Sequence, residues 1–200
     1  MNIMVCNIGS SSFKFQLLDM TSEKQLAKGY SEKVGQDNAI VAYSINGVNV
    51  FSDVMPLPSH REAVQHALDF LTSSEHSVLK NLDALDGVGF KTIQAGEKNG
   101  SVMLNEDVLS AMEYYKDLAP AHNPPYLNAI YMFKEMLPQT PLVGVFEPGF
   151  HSNVPFYAKI YGTPYEWIKD YNVVQYGYHG ASHHFVTHKT VELLGLPKDN

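Results

Sequence analysis

The sequence is poor in cysteine, in basic clusters and in long apolar runs, and each shortage excludes a class of protein. Cys6 is the single cysteine among 200 residues, so no intrachain disulfide can form and a reducing cytoplasm is the expected compartment. The net charge is −7 and no basic patch stands out, which argues against a nucleic-acid partner. No apolar run approaches the roughly 20 residues of a membrane span, and the N-terminus lacks the pattern of a secretion signal.

The composition is that of a globular protein, with 44% hydrophobic and 18% charged residues. The first third of the chain predicts extended segments at 25–34, 39–45 and 48–54, with a two-residue hairpin turn at Asn46-Gly47. Helices and short strands alternate after that. This order predicts a mixed α/β domain.

Local capping signals predict where several helices begin. Ser59 and Glu62 form a capping box that opens a helix, Asn105 caps a second helix, and Pro124-Pro125 suits the first turn of a third. Ser182 is predicted to cap the last helix, and Gly195 to end it. Phe185, Val186 and Leu193 are predicted to line the inner face of that helix. The aromatic residues between positions 161 and 171 are interpreted as core and rim packing.

The N-terminal hairpin carries the densest polar turn of the chain. A glycine and three serines (Gly9, Ser10, Ser11, Ser12) lie between two apolar strands. Their N–H and hydroxyl groups could form a concavity for phosphate oxygens, with Lys14 adding a positive charge. Asn7 supplies a neutral oxygen that could face a metal-bound water. An ordinary serine-rich turn explains the same residues, and both interpretations stay open on this stretch alone.

Four stretches, in order along the chain, together resemble the acetate kinase family. They are NIGSSSFKF at 7–15, LAPAHNP at 118–124, VFEPGFH at 145–151 and YGYHGASH at 176–183. The resemblance implies an α/β fold of the ribonuclease-H-like type shared by actin, sugar kinases and Hsp70, with a mixed sheet and flanking helices. It makes residues 1–200 the N-terminal domain, without the family's second, nucleotide-binding domain. The chain would then be an isolated domain, a truncated gene product or half of a two-chain protein.

The same resemblance implies a function: phosphate transfer between ATP and acetate or another short carboxylic acid, giving an acyl phosphate, with Mg²⁺ required. It implies catalytic roles for Glu147, His179 and His122, and substrate binding by Lys91. Lys14 and the Gly9–Ser12 turn would bind the phosphates of ATP or ADP, and Asn7 would face the metal. The implied partners are the acid, the nucleotide, and a C-terminal domain or second chain, with a homodimer as a further option.

Two residues depart from the family pattern. The family arginine that holds the substrate falls on Lys91, and its catalytic aspartate falls on Glu147. Lysine lacks the bidentate fork of arginine, and glutamate extends its carboxylate by one methylene. The two exchanges either compensate each other or mark a degenerate, non-catalytic relative that acts through binding or assembly. Phe90 and Gln94 also depart from the pattern. A sugar kinase or Hsp70-type ATPase would share the fold without the His122 and His179 stretches.

The histidines near the C-terminus raise a separate metal interpretation. His184 and His188 have the i, i+4 spacing of a helical metal site. No acidic residue lies between them as in H-E-x-x-H, and no third ligand is evident. A solvated helix face is therefore the expectation.

Overall fold

A computed structural model describes residues 1–197 and contains one eight-stranded mixed sheet with six α-helices. The strands are β1 (Asn2–Gly9), β2 (Ser12–Asp19), β3 (Lys24–Glu32), β4 (Gln36–Ile45), β5 (Val48–Leu57), β6 (Gly87–Thr92), β7 (Gly100–Met103) and β8 (Leu142–Phe146). The helices are α1 (His60–Thr72), α2 (Glu106–Tyr114), α3 (Asn123–Met136), α4 (Phe156–Lys159), α5 (Tyr165–Tyr171) and α6 (Gly180–Leu194). Within the described residues, none of these helices is long and apolar enough to cross a membrane.

The sheet combines an antiparallel meander with a parallel half. Its strand order is β5-β4-β3-β2-β1-β6-β8-β7. Strands β1 to β5 pair antiparallel in sequence order, whereas β1, β6 and β8 run parallel to one another. The carboxyl ends of these three parallel strands therefore meet at one edge of the sheet, where α/β proteins gather binding residues.

One face of the sheet carries the core. Alternate residues of the first hairpin, such as Met4, Phe13 and Leu17, are fully buried, and this face packs against α1 and α3, with α2 against α3. Helix α1 begins as its capping box predicts, because the Ser59 side chain accepts a hydrogen bond from the Arg61 amide. Cys6 is also buried, as predicted, and burial raises the pKa of its thiol.

The opposite face of the first strands is open in this chain. Asn7, Lys14, Gln16, Lys28 and Tyr30 project from it and are exposed. The strict alternation of buried and exposed residues along β1 and β2 is that of a sheet covered on one side.

The segment 152–197, called here the exposed segment, corrects three expectations. Gly180 is its one buried residue, so Phe185, Val186 and Leu193 of α6 point to solvent and line no inner face. The aromatic residues of 161–171 are exposed as well. Helix α6 begins at Gly180, and its N-cap residue is His179, whose backbone is in the left-handed region. Ser182 therefore lies inside the helix and does not cap it. Gly195 does end the helix, with φ of 63°.

Candidate active site

The site lies where the parallel strands β6 and β8 end. Lys91 is the penultimate residue of β6, and Glu147 follows the last residue of β8. In this pairing Lys91 lies opposite Val145 on the open face. Chain direction and register thus bring a cation and a carboxylate from distant positions in the sequence to one place.

A cavity of about 360 Å³ opens at this point. Its polar side chains are Lys91, His122, Glu147 and His179, and its other lining residues are Ile93, Leu118, Ala119, Pro120, Ala121 and Tyr178. All three predicted catalytic residues and the predicted substrate-binding residue therefore line one cavity. Its size falls within the range of small-molecule sites.

Glu147 is the centre of the charge arrangement. Its side chain is only 5% exposed, and its Oε1 lies 3.4 Å from the Lys91 Nζ. Its Oε2 lies 3.9 Å from the His179 Nδ1, which is too long for a hydrogen bond, and this buried oxygen has no hydrogen-bond partner among the described residues. The pKa of the nearby Tyr126 hydroxyl is raised, first because Tyr126 is itself partly buried and second because of the negative charge of Glu147.

A buried amide network holds the loops that flank the cavity. The Asn123 side chain donates hydrogen bonds to the carbonyl oxygens of Gln94 and Met112, at 2.8 and 2.9 Å. The Gln94 side chain accepts a bond of 2.8 Å from the Gly96 amide. Because Gln94 and Asn123 are fully buried, their hydrogen bond ties the segment just after Lys91 and β6 to the start of α3, which His122 precedes. Gln94 therefore supports the site and does not line it.

The two histidines enter the cavity from different elements. His122 immediately precedes α3, is exposed, and stacks on Tyr126 with a ring-centroid distance of 6.2 Å. His179 immediately precedes α6, and its side chain is 76% exposed. Both rings are thus open to a ligand and present hydrogen-bond donors beside Glu147.

The Gly9–Ser12 turn lies at the end of β1, next to β6 in the sheet. Gly9 pairs with Ser12, which leaves Ser10 and Ser11 as the two turn residues. Two backbone carbonyl oxygens of the hairpin contact other parts of the chain. Gly9 O lies 2.9 Å from His60 Nε2, and Ser11 O accepts a 3.0 Å hydrogen bond from the Val34 amide.

Asn7 and Lys14 lie beside this turn but outside the cavity. They face each other across β1 and β2 and line a separate open groove of about 660 Å³ on the sheet. Lys14 Nζ is 3.5 Å from Glu32 Oε1. Strand register places Asn7 one residue beyond the Cys6–Phe90 pair, and so beside Lys91 on the next strand.

Sequence reasoning missed the apolar wall of the cavity. Ile93, Leu118 and Ala121 form part of it, and each stands within four residues of a predicted site residue. Their closeness in the sequence to those residues is the signal that could have identified the wall. The His184 and His188 ring centroids lie 4.2 Å apart on exposed α6, with the ring planes tilted by 49°. Across residues 1–197, no group of three or more His, Cys, Asp or Glu side chains is arranged to hold a metal ion.

Comparison with known proteins matches this chain to one family. The model of the Acetokinase family matches residues 2–200. The chain is 40% identical over 198 residues to the acetate kinase of Carboxydothermus hydrogenoformans and 42% identical over 196 residues to that of Coprothermobacter proteolyticus. These matches cover 98% of this chain and 50% and 49% of the two relatives.

Solved structures give the same match. A propionate kinase from Francisella tularensis aligns with a TM-score of 0.88 and 30% identity, over 100% of this chain and 50% of that one. Porphyromonas gingivalis acetate kinase aligns with a TM-score of 0.86 and 34% identity, over 99% and 50%. The chain therefore spans about half the length of the curated relatives and solved structures that it matches.

Proposed function

Because the chain belongs to the acetokinase family, we propose that it is the acid-binding half of a carboxylate kinase. The reaction is reversible transfer of phosphate from ATP to acetate or another short carboxylic acid, giving ADP and an acyl phosphate. The observation that carries the proposal is the single cavity that Lys91, Glu147, His122 and His179 share.

The cavity divides into a charged end and an apolar end. The Lys91 ammonium attracts the substrate carboxylate, and the buried Glu147 keeps that ammonium in place through their 3.4 Å ion pair. The wall formed by Ile93, Ala119 and Ala121 suits the alkyl part of a short acid. The alkyl group of the acid therefore contacts the apolar wall, while a carboxylate oxygen of the acid points toward the histidines.

Phosphoryl transfer depends mainly on positioning and on neutralising charge. A carboxylate oxygen of the acid attacks the γ-phosphorus of ATP, and the bond from that phosphorus to the bridging oxygen of ADP breaks. His122 and His179 donate hydrogen bonds to the transferred phosphoryl oxygens as charge builds on them. The Gly9–Ser12 turn and Lys14 hold nucleotide phosphates from the neighbouring strand end.

Mg²⁺ fits the donor set of this site. Glu147 Oε2 is a buried carboxylate oxygen without a hydrogen-bond partner among residues 1–197, and Mg²⁺ binds through one or two carboxylates plus substrate phosphates. Glu147 is the residue we assign to it, with the Asn7 side-chain oxygen as the second donor. When bound, the ion neutralises charge on the nucleotide phosphates.

The apolar side chains of the exposed segment support the proposal that a second folded half binds there. Phe156, Tyr157, Tyr165, Trp167 and Phe185 are all about half exposed or more, and apolar surface of this extent marks an interaction site. We assign it to the C-terminal part that the relatives possess, or to a second chain. Trp167 is the single tryptophan, so its emission reports this contact directly: it should shift to shorter wavelength when the second half is present. A cytoplasmic location is part of the proposal and accords with a single, buried thiol.

The deciding experiment measures acyl phosphate formation by the longest native form of the protein, with ATP, Mg²⁺ and acetate or propionate. Hydroxylamine traps the product as a hydroxamate. Lys91→Ala should lower kcat/KM by about 10²- to 10³-fold, since one charge-stabilising donor is worth that much. Lys98→Ala is the matched control, because Lys98 pairs with Asp107 on an exposed surface. We call a form that contains both this chain and the second half the two-half form. If the folded two-half form gives no hydroxamate with either acid, the proposal is overturned.

A further inference from the structure

His151 contacts the loop that carries His179. It ends the short 3₁₀ helix Glu147–His151 that begins at the buried carboxylate. Its Nε2 lies 3.2 Å from the Tyr178 carbonyl oxygen and 3.0 Å from the His183 Nδ1. One ring thus reaches the residue before His179 and a residue one turn into α6.

These two contacts determine the proton positions. A carbonyl oxygen can only accept a hydrogen bond, so His151 must carry its proton on Nε2 to bond Tyr178. The same N–H then points at the His183 Nδ1, which must accept. In this arrangement the His183 Nδ1 is the acceptor, and the ring proton of His183 lies on Nε2. This is the one assignment that satisfies both contacts.

Close backbone packing reinforces the contact. A Cβ on Gly177, which has φ of +75°, would lie 2.7 Å from the His151 ring, and a Cβ on Gly180 would lie 2.1 Å from the Glu147 carbonyl oxygen. The loop therefore lies directly against 147–151 at both ends. Between these glycines His179 has φ of 61°, a left-handed conformation that is uncommon for residues with a side chain, although histidine adopts it more often than most.

We propose that His151 is a positioning residue for His179. The His179 side chain is largely exposed, so its own surroundings hold it weakly. The bond to the Tyr178 carbonyl oxygen fixes the backbone just before His179, and the bond to the His183 ring ties the first turn of α6 to the same side chain. Together they keep the His179 Nδ1 beside Glu147. The catalytic importance of where His179 lies rests on the proposed function, whereas the placement of His179 by His151 does not depend on that function.

The position is measured in the 200-residue chain by NMR of its histidine rings at pH 8. The wild type should show a protonated His151 Nε2, an unprotonated His183 Nδ1, and contacts between the His179 ring and Glu147. His151→Ala should remove the His183 signature and the His179–Glu147 contacts. His151→Gln should keep most of both, because its amide N–H can occupy the Nε2 position. His188→Ala on the same helix is the control and should change neither.

Unchanged His179 signals in folded His151→Ala would overturn the proposal. If that variant does not fold, His183→Ala replaces it, since His183 is exposed on α6 and its loss removes the His151–His183 contact, one of the two on which the proposal rests. Unmoved His179 signals in His183→Ala would overturn the proposal equally.

Kinetics of the two-half form then separate this proposal from the proposed function. His151→Ala should lower kcat about 10- to 100-fold, as a misplaced catalytic group does, with the KM for the acid little changed because Lys91 and the apolar wall are untouched. His151→Gln should recover most of the rate. Full activity in His151→Ala would overturn the positioning role. If the wild type forms no acyl phosphate at all, the proposed function fails, and the ring NMR still decides whether His151 positions His179.

Discussion

Lys91 Nζ lies 3.4 Å from Glu147 Oε1, so the residues predicted to replace the family's substrate-binding arginine and catalytic aspartate form an ion pair across adjacent strand ends. The Glu147 side chain is buried and cannot move far. The ammonium of Lys91 is partly exposed and can turn toward a ligand. The pair therefore combines a fixed anion with an adjustable cation.

This relationship predicts coupling between the two positions. Lys91→Arg alone should not raise activity in the two-half form, because the wider guanidinium meets the longer Glu147 carboxylate. The double variant Lys91→Arg with Glu147→Asp should exceed both single variants, with a coupling energy of about 0.5–3 kcal/mol in a double-mutant cycle of kcat/KM.

The control for this cycle is Lys98→Arg with Glu147→Asp, since Lys98 pairs elsewhere; its effects should add. Strict additivity for Lys91 and Glu147 would show that the two sites act independently. If the wild type is inactive and the double variant is equally inactive, the site is damaged elsewhere, with Phe90 and Gln94 as the first candidates.

The N-terminal turn predicts anion binding. Phosphate added to this chain should shift the amide resonances of Gly9–Ser12, because their N–H groups lie at the hairpin tip. Lys14→Met should weaken binding several-fold by removing one charge, while Lys28→Met on the same groove should change it less. Amide shifts that are confined to other residues, or equal effects of the two substitutions, would contradict this assignment.

The isolated 200-residue chain should be folded but nearly inactive. It contains the cavity to which we assign acid binding but covers about half the length of its relatives. Circular dichroism and dispersed NMR spectra should report the fold, while the hydroxamate assay should give rates far below the roughly 1–10³ s⁻¹ usual for enzymes. Turnover by this chain in the usual range would refute the prediction.

Stability should depend on pH through His66. Its Nδ1 lies 2.8 Å from the Tyr43 hydroxyl, and burial lowers the pKa of its imidazole below the ordinary 6.5. The unfolded chain therefore binds a proton more readily, so this contribution is complete above pH 6.5 and is lost as pH falls through the lower folded value.

The measurement is urea unfolding of wild type and His66→Asn between pH 5 and 8. Asparagine keeps an acceptor near Tyr43 and does not titrate. The variant should lose less stability on acidification than the wild type. His188→Asn, on an exposed helix, is the control and should follow the wild type, and identical slopes for all three proteins would rule out this role for His66.

Local signals in the sequence predicted much of the first 150 residues. The Ser59–Glu62 box located α1, and Asn46-Gly47 located the β4–β5 turn, because both depend on contacts between near neighbours. β7 was missed, since its four residues have no clear alternation and pair with a strand 40 residues later. Motifs named the polar site residues, while the apolar wall depends on tertiary packing.

Predictions failed mainly in the exposed segment. Apolar residues of α6 predicted an inner face, but a pattern shows only that a face is apolar and does not say which surface covers it. The start of α6 was misplaced because serine is a common N-cap residue, whereas His179 occupies the N-cap position without a capping side-chain hydrogen bond.

The order of the strands also has a consequence for how the chain folds. Strands β1 to β5 pair with immediate neighbours in sequence, so this meander can form early, while the chain is still being synthesised. The β1–β6 pairing joins Ile3 to Gly87, and β8 adds only after a further long closure. Such distant pairings form slowly. Lys91 and Glu147 therefore meet late in folding, and the meander should acquire amide protection before β6 and β8 do.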